Sequence, residues 1–350
     1  MTALSLVTVV HRGELPLLRL QARSLARHAA AGDVVEVLVA VNDSEERAVL
    51  RAVEAMRAEW GPHAAKLRVR GGRHLFWGRA GAAGEERRRW AAKLRRRRAS
   101  GAPFGPSGWH GHEGWWMQQA FKLAAARALR GGNVLILDAK NVLLGALDPA
   151  TFFAPDGRAK GFLIDAPDHL HREWLAWTRH ALGLSERAVG MSPVTSYRTP
   201  FAVRRADLQG ALDWLETRTG EPVETHFSTG WPRCSEFMLL NAWAATERGG
   251  VDAVFAPGLP EPASLHAEAD EAEIAALLRG MESGRLILPG LHVVALARLD
   301  AARRARLAAV LARAGVVETP EDAEAAFAEA MAGNRARIDA RIAEMDARRT

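Results

Sequence analysis

The stretch at residues 131–144, GGNVLILDAKNVLL, constrains the fold more than any other part of the chain. Its apolar run at 134–137 has the length of a buried strand and stops abruptly at Asp138, Lys140 and Asn141. Open α/β sheets build ligand sites in this way, from a buried strand that delivers an Asp and polar neighbours at its carboxyl end. The stretch therefore predicts a central strand with a polar site at its end.

Apolar runs alternate with amphipathic segments through the first third of the chain. Residues 4–10 (LSLVTVV) and 33–41 (DVVEVLVAV) have the composition of buried strands, and leucines at helical spacing predict a helix over 16–28 between them. A second helix is predicted over 45–60, where an acidic first turn favours the helix dipole. This order predicts an α/β fold with a mixed, mainly parallel central sheet flanked by helices.

The length of 350 residues fits one large α/β domain, alone or with a helical annex. We predict a single domain over residues 1–315 and a C-terminal helical extension over 316–350, in which Thr319 caps a helix reaching about residue 348. Residues from about 71 to 114 are rich in Gly, Arg and aromatic side chains without clean periodicity. We predict that they form a basic, Gly-rich insertion, of the kind that serves as a lid or binding loop.

Composition limits the class of protein. The single cysteine, Cys234, excludes a disulfide framework and a cysteine-based zinc site, and it fits a reducing compartment. No apolar run approaches the ~18 to 20 residues needed to span a bilayer, and the start of the chain lacks the features of a secretory signal. These features predict a soluble, cytoplasmic protein.

The net charge of +6 is concentrated in the basic run at 87–98, RRRWAAKLRRRR. Such a run can bind phosphates, a nucleic acid or an anionic membrane surface, although a solvated helix face or loop is the commoner outcome. No recognisable nucleic-acid-binding module accompanies the run, so we predict no specific nucleic-acid partner. Peripheral contact with an anionic membrane stays open.

Several polar residues follow strands or begin helices in the order that an active site requires. Each has an ordinary structural explanation, such as a turn cap, a favourable helix dipole or a core histidine. Their succession along the chain is what favours a site. They are Asp43 after the second strand, Gln118, Gln119 and Lys122 on one helix, Asp138 with Asn141, Glu236 at a helix start, and His292 after a short strand.

At these positions the chain resembles a bacterial domain-of-unknown-function family related to nucleotide-sugar glycosyltransferases of the GT-A fold. The resemblance is carried by GWWMQQAFKLAAARAL and VLILDAKNVLL, then by TPFAVRRADL, CSEFMLLNAW and LHVVA. It spans most of residues 1 to about 310, and the first two segments are the specific ones. It implies a GT-A-like fold, a nucleotide-sugar donor, a glycan or other hydroxyl acceptor, and Mn²⁺ or Mg²⁺ on the donor diphosphate.

Carried over by position, the resemblance places Asp138 on the first Asp of the family's metal-binding Asp-x-Asp motif. Glu236 falls at the catalytic-base position, Asp43 where an acid meets the nucleotide base, and His292 at a late histidine of the metal or phosphate site. The implied set is Glu236 and Asp138 as catalytic residues, Asp43, His11, Gln118, Lys122, Lys140 and Asn141 around the donor, and Asp138, Asn141 and His292 around the metal.

The chain departs from the family motif at its second carboxylate, where Lys140 stands beside Asn141. Hard cations prefer carboxylate oxygens, so this change weakens a metal site, whereas a lysine can itself neutralise a diphosphate. The sequence leaves open whether transfer uses a metal and whether it inverts or retains the configuration at the sugar. The alternative function is a catalytically silent protein that binds a sugar or nucleotide.

Overall fold

A mainly parallel sheet lies at the centre of the computed structural model, which describes residues 3–77, 108–112, 114–184, 193–228 and 235–347. The basic run at 87–98 and most of the predicted insertion at 71–114 lie outside these residues. The described strands are β1 (Leu4–Val10), β2 (Val34–Val41), β3 (Leu67–Gly71), β4 (Asn133–Asp138), β5 (Ala159–Gly161), β6 (Leu163–Ile164), β7 (Val194–Thr195), β8 (Phe201–Arg204), β9 (Phe255–Pro257), β10 (Ser264–Leu265) and β11 (Gly290–Leu291).

Helices connect and follow these strands along the described residues. They are α1 (Leu15–His28), α2 (Glu46–Ala55), α3 (Gly72–Phe76), α4 (Gly114–Ala124), α5 (His169–Ala181), α6 (Arg205–Thr219), α7 (Val223–Ser228), α8 (Glu236–Glu247), α9 (Glu271–Glu282), α10 (Val293–Arg298), α11 (Ala301–Arg313), α12 (Pro320–Gly333) and α13 (Arg335–Ala347).

The central sheet has the strand order β3-β2-β1-β4-β8. Strands β1 to β4 run parallel, and β8 pairs antiparallel with β4 at the edge. Every residue of β1 is buried, and its apolar side chains pack on both faces as parallel strands require. The predicted mixed, mainly parallel sheet flanked by helices is confirmed.

Two predicted helices differ from the structure, each for a local reason. Helix α2 ends at Ala55, before the predicted residue 60, and 3₁₀ turns follow, in which Gly61 has a left-handed φ of 49° and Pro62 comes next. The predicted C-terminal helix is divided at Asn334 into α12 and α13. The Asn334 amide donates hydrogen bonds to the carbonyl oxygens of Gly13, at 2.6 Å, and Ala330, at 2.8 Å.

A second group of buried side chains joins α1 to the C-terminal helices. Leu17 and Leu20 of α1 belong to it, together with Val142 after β4 and Phe327 of α12. Thr319 caps α12 as predicted, because its hydroxyl accepts the backbone N–H of Asp322. The predicted domain boundary at residue 315 stays a prediction.

Within the described part of the chain, no helix combines the length and the apolar character needed to cross a bilayer.

Candidate functional site

Three of the predicted site residues lie at one edge of the central sheet. Strand β1 pairs in parallel with β2 and with β4, and its last residues align Val10 with Val41 and Val9 with Asp138. The carboxyl ends of these strands therefore meet at the same edge, which is where open α/β sheets place ligand sites. His11, Asp43 and Asp138 follow or end these strands.

The carboxylate of Asp138 is surrounded by hydrogen-bond donors. Its Oδ1 lies 2.9 Å from Lys122 Nζ and accepts a 2.9 Å hydrogen bond from Gln118 Nε2. Its Oδ2 lies 3.1 Å from Lys140 Nζ and accepts a 3.0 Å hydrogen bond from the Thr199 hydroxyl. Four donors match the roughly four acceptor positions of a carboxylate, so protein groups occupy them all.

Lys122 connects this carboxylate to a second one. Its ammonium lies 2.9 Å from Asp138 Oδ1 and 2.9 Å from Glu236 Oε1, and the Lys122 and Glu236 side chains are only 5% and 3% exposed. The ring of Phe237 lies 5.2 Å from Lys122 Nζ and adds a cation–π contact. We call Lys122, Asp138, Glu236 and Lys140 the ionic centre.

Local structure explains how the ionic centre is assembled. Gln118 and Lys122 are four residues apart on α4, so they project from one face of that helix. Glu236 is the first residue of α8, which Ser235 caps by accepting the backbone N–H of Met238 at 3.1 Å. The end of β4, one face of α4 and the start of α8 thus converge on one buried ammonium group.

The surroundings shift the pKa values of Asp138, Lys122 and Glu236 in different directions. Burial acts to raise the pKa of Asp138, but the charges of Lys122 and Lys140 outweigh it and hold that pKa well below its usual range. Burial acts to lower the pKa of Lys122, yet the two carboxylates raise it, so the ammonium stays charged. At Glu236 burial is the largest effect and raises the pKa, because Lys122 offsets it only in part.

Asn141 shapes the turn that presents Asp138. The Asn141 side-chain oxygen accepts the Asp138 backbone N–H at 2.8 Å, and Asn141 is fully buried. Gln21 of α1 supports the same turn by donating to the carbonyl oxygens of Asp138, at 2.8 Å, and Asn141, at 3.1 Å. Thr8 in turn donates its hydroxyl hydrogen to Gln21 Oε1 at 2.8 Å. These contacts fix the direction of the Asp138 side chain.

His292 lies beside the centre and begins α10. Its Nδ1 accepts the backbone N–H of Val294 at 3.3 Å, and the neighbouring Leu291 N–H donates to the Lys140 carbonyl oxygen at 2.9 Å. Burial, followed by the charge of Lys140, lowers the pKa of His292 well below its ordinary value. The imidazole is therefore neutral and already used as a helix cap.

The predicted metal set of Asp138, Asn141 and His292 does not fit a divalent cation in this arrangement. The Asp138 oxygens already accept from two ammonium groups, the Asn141 oxygen accepts a backbone N–H, and His292 Nδ1 does the same. Hard cations need free oxygen ligands, and two lysines repel them. Among the described residues, no group of three or more His, Cys, Asp or Glu side chains is placed to hold a metal.

Asp43 and His11 share the sheet edge but make separate contacts. Asp43 accepts the Arg12 backbone N–H at 2.9 Å and the Arg12 Nε–H at 3.0 Å, and it also accepts the Glu45 backbone N–H at 2.7 Å. Burial acts to raise the pKa of Asp43, and the hydrogen bonds from Arg12 outweigh it and lower that pKa. His11 Nδ1 accepts the Gly13 N–H at 3.1 Å. Both residues stabilise the loop after β1.

Sequence reasoning missed three residues that organise this edge. Gln21 supports the turn that carries Asp138, and Thr199 donates to the Asp138 carboxylate. Asn42 attaches Trp109 and Gly114 to the edge, because its Oδ1 accepts the Trp109 N–H at 2.9 Å and its amide donates to the Gly114 carbonyl oxygen at 2.7 Å. The available signal was a polar residue within an apolar segment, as at Gln21 among the leucines of α1.

Comparisons with known proteins show a distant likeness to solved structures. No protein-family model and no curated protein matches the chain. Among solved structures, the chain is similar to a galactosyltransferase, LgtC, in complex with donor and acceptor sugar analogues. The two share 13% sequence identity, the match covers 68% of this chain and 69% of that one, and the TM-score is 0.35. This likeness is too low to assign a function, and a functional assignment therefore depends on the chemistry of the ionic centre.

Proposed function

We propose that the protein transfers a sugar from a nucleoside-diphosphate donor to an acceptor hydroxyl. The observation that carries the proposal is the buried Lys122 ammonium, which lies 2.9 Å from Asp138 at the end of a central strand and 2.9 Å from Glu236 at a helix start. Titratable groups with opposite pKa shifts at the carboxyl edge of a parallel sheet are typical of active sites.

The reaction assigns one role to each end of the ionic centre. The bond between the anomeric carbon and the diphosphate oxygen breaks, the diphosphate leaves with the bonding electrons, and the acceptor oxygen bonds to the carbon. Lys140 neutralises the leaving diphosphate, since it is the most exposed of the four side chains at 23%. Glu236 takes the acceptor proton, because its raised pKa brings it closer to neutral pH.

Lysines replace the metal in this proposal. Lys122 and Lys140 place two positive charges on one carboxylate, and Asp138 fixes both ammonium groups rather than binding a cation. A positioned lysine stabilises developing negative charge on an oxygen as other fixed cations do. Asp138 is therefore proposed as a positioning residue, and Lys140 as the group that meets the donor.

An aromatic surface beside the ionic centre suits the acceptor. The rings of Trp115 and Trp174 lie 5.6 Å apart between centroids, and those of Trp174 and Tyr197 lie 4.8 Å apart. Trp115 shares a face of α4 with Gln118, and Tyr197 is two residues before Thr199; both polar residues bind the Asp138 carboxylate. Half-buried aromatic rings with a polar neighbour are suited to binding a sugar ring.

Calorimetric titration with UDP, GDP and CDP, each with and without Mn²⁺, tests the donor side. At least one nucleotide is expected to bind, and Lys140→Gln should weaken that binding about tenfold, because one charge-assisted hydrogen bond is lost. Glu236→Gln should leave nucleotide affinity unchanged. Failure of all three nucleotides to bind under both conditions would rule the proposal out.

A catalytically silent sugar- or nucleotide-binding protein is the second candidate. Two observations favour it: protein donors occupy the Asp138 oxygens, and the Glu236 side chain is only 3% exposed. Buried ion networks with a purely structural role have the same features. Nucleotide binding without release of nucleoside diphosphate from any sugar donor would identify this class.

A further inference from the structure

A basic cleft lies along the edge strand of the sheet, away from the ionic centre. It has a volume of about 750 Å³, and its lining includes Arg68, Arg70, Arg127, Ala128, Arg130 and Glu216. Two strands, β2 and β1, lie between β3 and β4, which carries Asp138. No lining residue belongs to the ionic centre, so the cleft is a separate feature.

Four guanidinium groups give this cleft its charge. Arg68 and Arg70 are two residues apart on β3 and therefore project from the same face of that strand. Arg127 and Arg130 belong to the segment before β4. The carboxylate among the described lining residues is Glu216, which forms an ion pair with Arg127. Glu216 offsets the charge of Arg127, and the buried Glu36 offsets that of Arg68. The four guanidinium groups outnumber these two carboxylates, so the lining keeps an excess of positive charge.

A buried carboxylate behind the cleft holds part of this lining in place. Glu36 is 2% exposed and accepts from Arg68 at 2.6 Å, from the Gly131 N–H at 3.2 Å and from the Arg130 backbone N–H. Arg68 also donates to the Ala128 carbonyl oxygen at 2.6 Å. The Arg68 side chain is thus ordered before a ligand arrives, and its Nε has no hydrogen-bond partner within the described residues.

We infer that the cleft binds a small oligophosphate. Its volume is that of a small-molecule site rather than of a flat macromolecular surface. A guanidinium group binds two phosphoryl oxygens through two parallel hydrogen bonds, and several guanidinium groups in one cleft favour a ligand with at least two negative charges. Pre-ordering of Arg68 by Glu36 lowers the conformational entropy lost when such a ligand binds.

Calorimetry with sodium tripolyphosphate tests this site in the full chain. Arg130→Gln should weaken binding about tenfold, because an exposed guanidinium of the cleft is lost without removal of a partner of Glu36. Glu216→Gln should strengthen binding about two- to threefold, since it removes a negative charge and leaves an oxygen to accept the Val223 N–H. Arg51→Gln, on the exposed side of α2, is the matched control and should bind as the wild type does.

Two further arms identify the ligand class and the site. Lys140→Gln should retain the binding that Arg130→Gln weakens, which separates the cleft from the ionic centre. Citrate, with carboxylates in place of phosphates, should bind at least about tenfold more weakly than tripolyphosphate. The inference is overturned if Arg130→Gln and Arg51→Gln bind tripolyphosphate equally, if citrate binds as tightly, or if the wild type binds neither anion.

Discussion

At the scale of single residues, Lys122 is the group on which the site depends. Its ammonium is shared by the carboxylates of Asp138 and Glu236, and neither has another described cation at comparable burial. The apolar run before Asp138 predicted that carboxylate at the end of a strand. The pairing of Lys122 with Glu236 was beyond prediction, because it depends on how α4 and α8 pack, and no local pattern encodes that packing.

Replacement of the shared cation should therefore destabilise the fold. Lys122→Met leaves Asp138 with Lys140 alone and Glu236 without its ion pair, so we expect a loss of about 3 to 5 kcal/mol in the free energy of unfolding. Denaturant titration measures it. Lys140→Gln, on the more exposed side, should cost about 1 kcal/mol or less. Equal losses for the two variants would show that Lys122 is not the central cation.

The pKa of Glu236 predicts how stability depends on pH. Because the folded-state pKa is raised, the stabilising contribution of protonated Glu236 is present below its unfolded value of about 4.3 and is lost as pH rises through the folded value. Asp138 has the opposite shift, with a contribution present above about pH 3.9 and lost as pH falls. Asp138 is present in both the wild type and Glu236→Gln, so its contribution largely cancels when the two are compared.

Glu236→Gln should therefore gain stability relative to the wild type as the pH rises from about 4 through the folded-state pKa of Glu236. Unfolding free energies of both proteins across that range provide the measurement. Glutamine keeps an oxygen that can accept from Lys122, so the comparison isolates the charge. A difference between the two proteins that does not change with pH would contradict the raised pKa.

At the scale of elements, the sequence predicted β1, β2, β4 and α1, because the composition and spacing of apolar residues indicate which segments are buried. The antiparallel addition of β8 was not predictable in the same way, since pairing and register depend on distant chain segments. The division of the last helix at Asn334 depends on a contact with Gly13. Contacts between distant segments therefore determine the pairing of β8 and the division of the last helix, which local sequence patterns do not predict.

Asn42 provides a prediction at this scale. Asn42→Ala removes the hydrogen bonds that attach Trp109 and Gly114 to the sheet edge. We therefore expect a loss of about 1 to 3 kcal/mol in the free energy of unfolding and faster hydrogen exchange at the Trp109 amide. Asn42→Asp keeps an oxygen for the Trp109 N–H and should protect that amide better than alanine does. Unchanged exchange at Trp109 in Asn42→Ala would show that other contacts hold Trp109.

At the scale of the whole molecule, the sheet brings residues from distant parts of the sequence to one edge. The apolar run at 134–137 predicted a polar site at the end of its strand, and Asp138 lies there in contact with Lys122 and Lys140, while Glu236 contacts Lys122. The predicted contacts of His11 and Asp43 with a nucleotide-sugar donor stay predictions. In the structure both side chains accept hydrogen bonds from the loop after β1. The metal set was unsuited to its role for a reason that only the assembled site reveals: protein donors already occupy the oxygens.

The release of nucleoside diphosphate from a panel of UDP-, GDP- and CDP-sugars, with water as the acceptor hydroxyl, tests the proposed sugar transfer most directly. Wild-type protein is expected to release it from at least one donor, and Glu236→Gln, at saturating donor, should be slower by about 10²-fold or more because the base is lost. Wild-type release that Glu236→Gln matches would contradict the role of Glu236. Absence of release from every donor, although a nucleotide binds, would contradict sugar transfer itself.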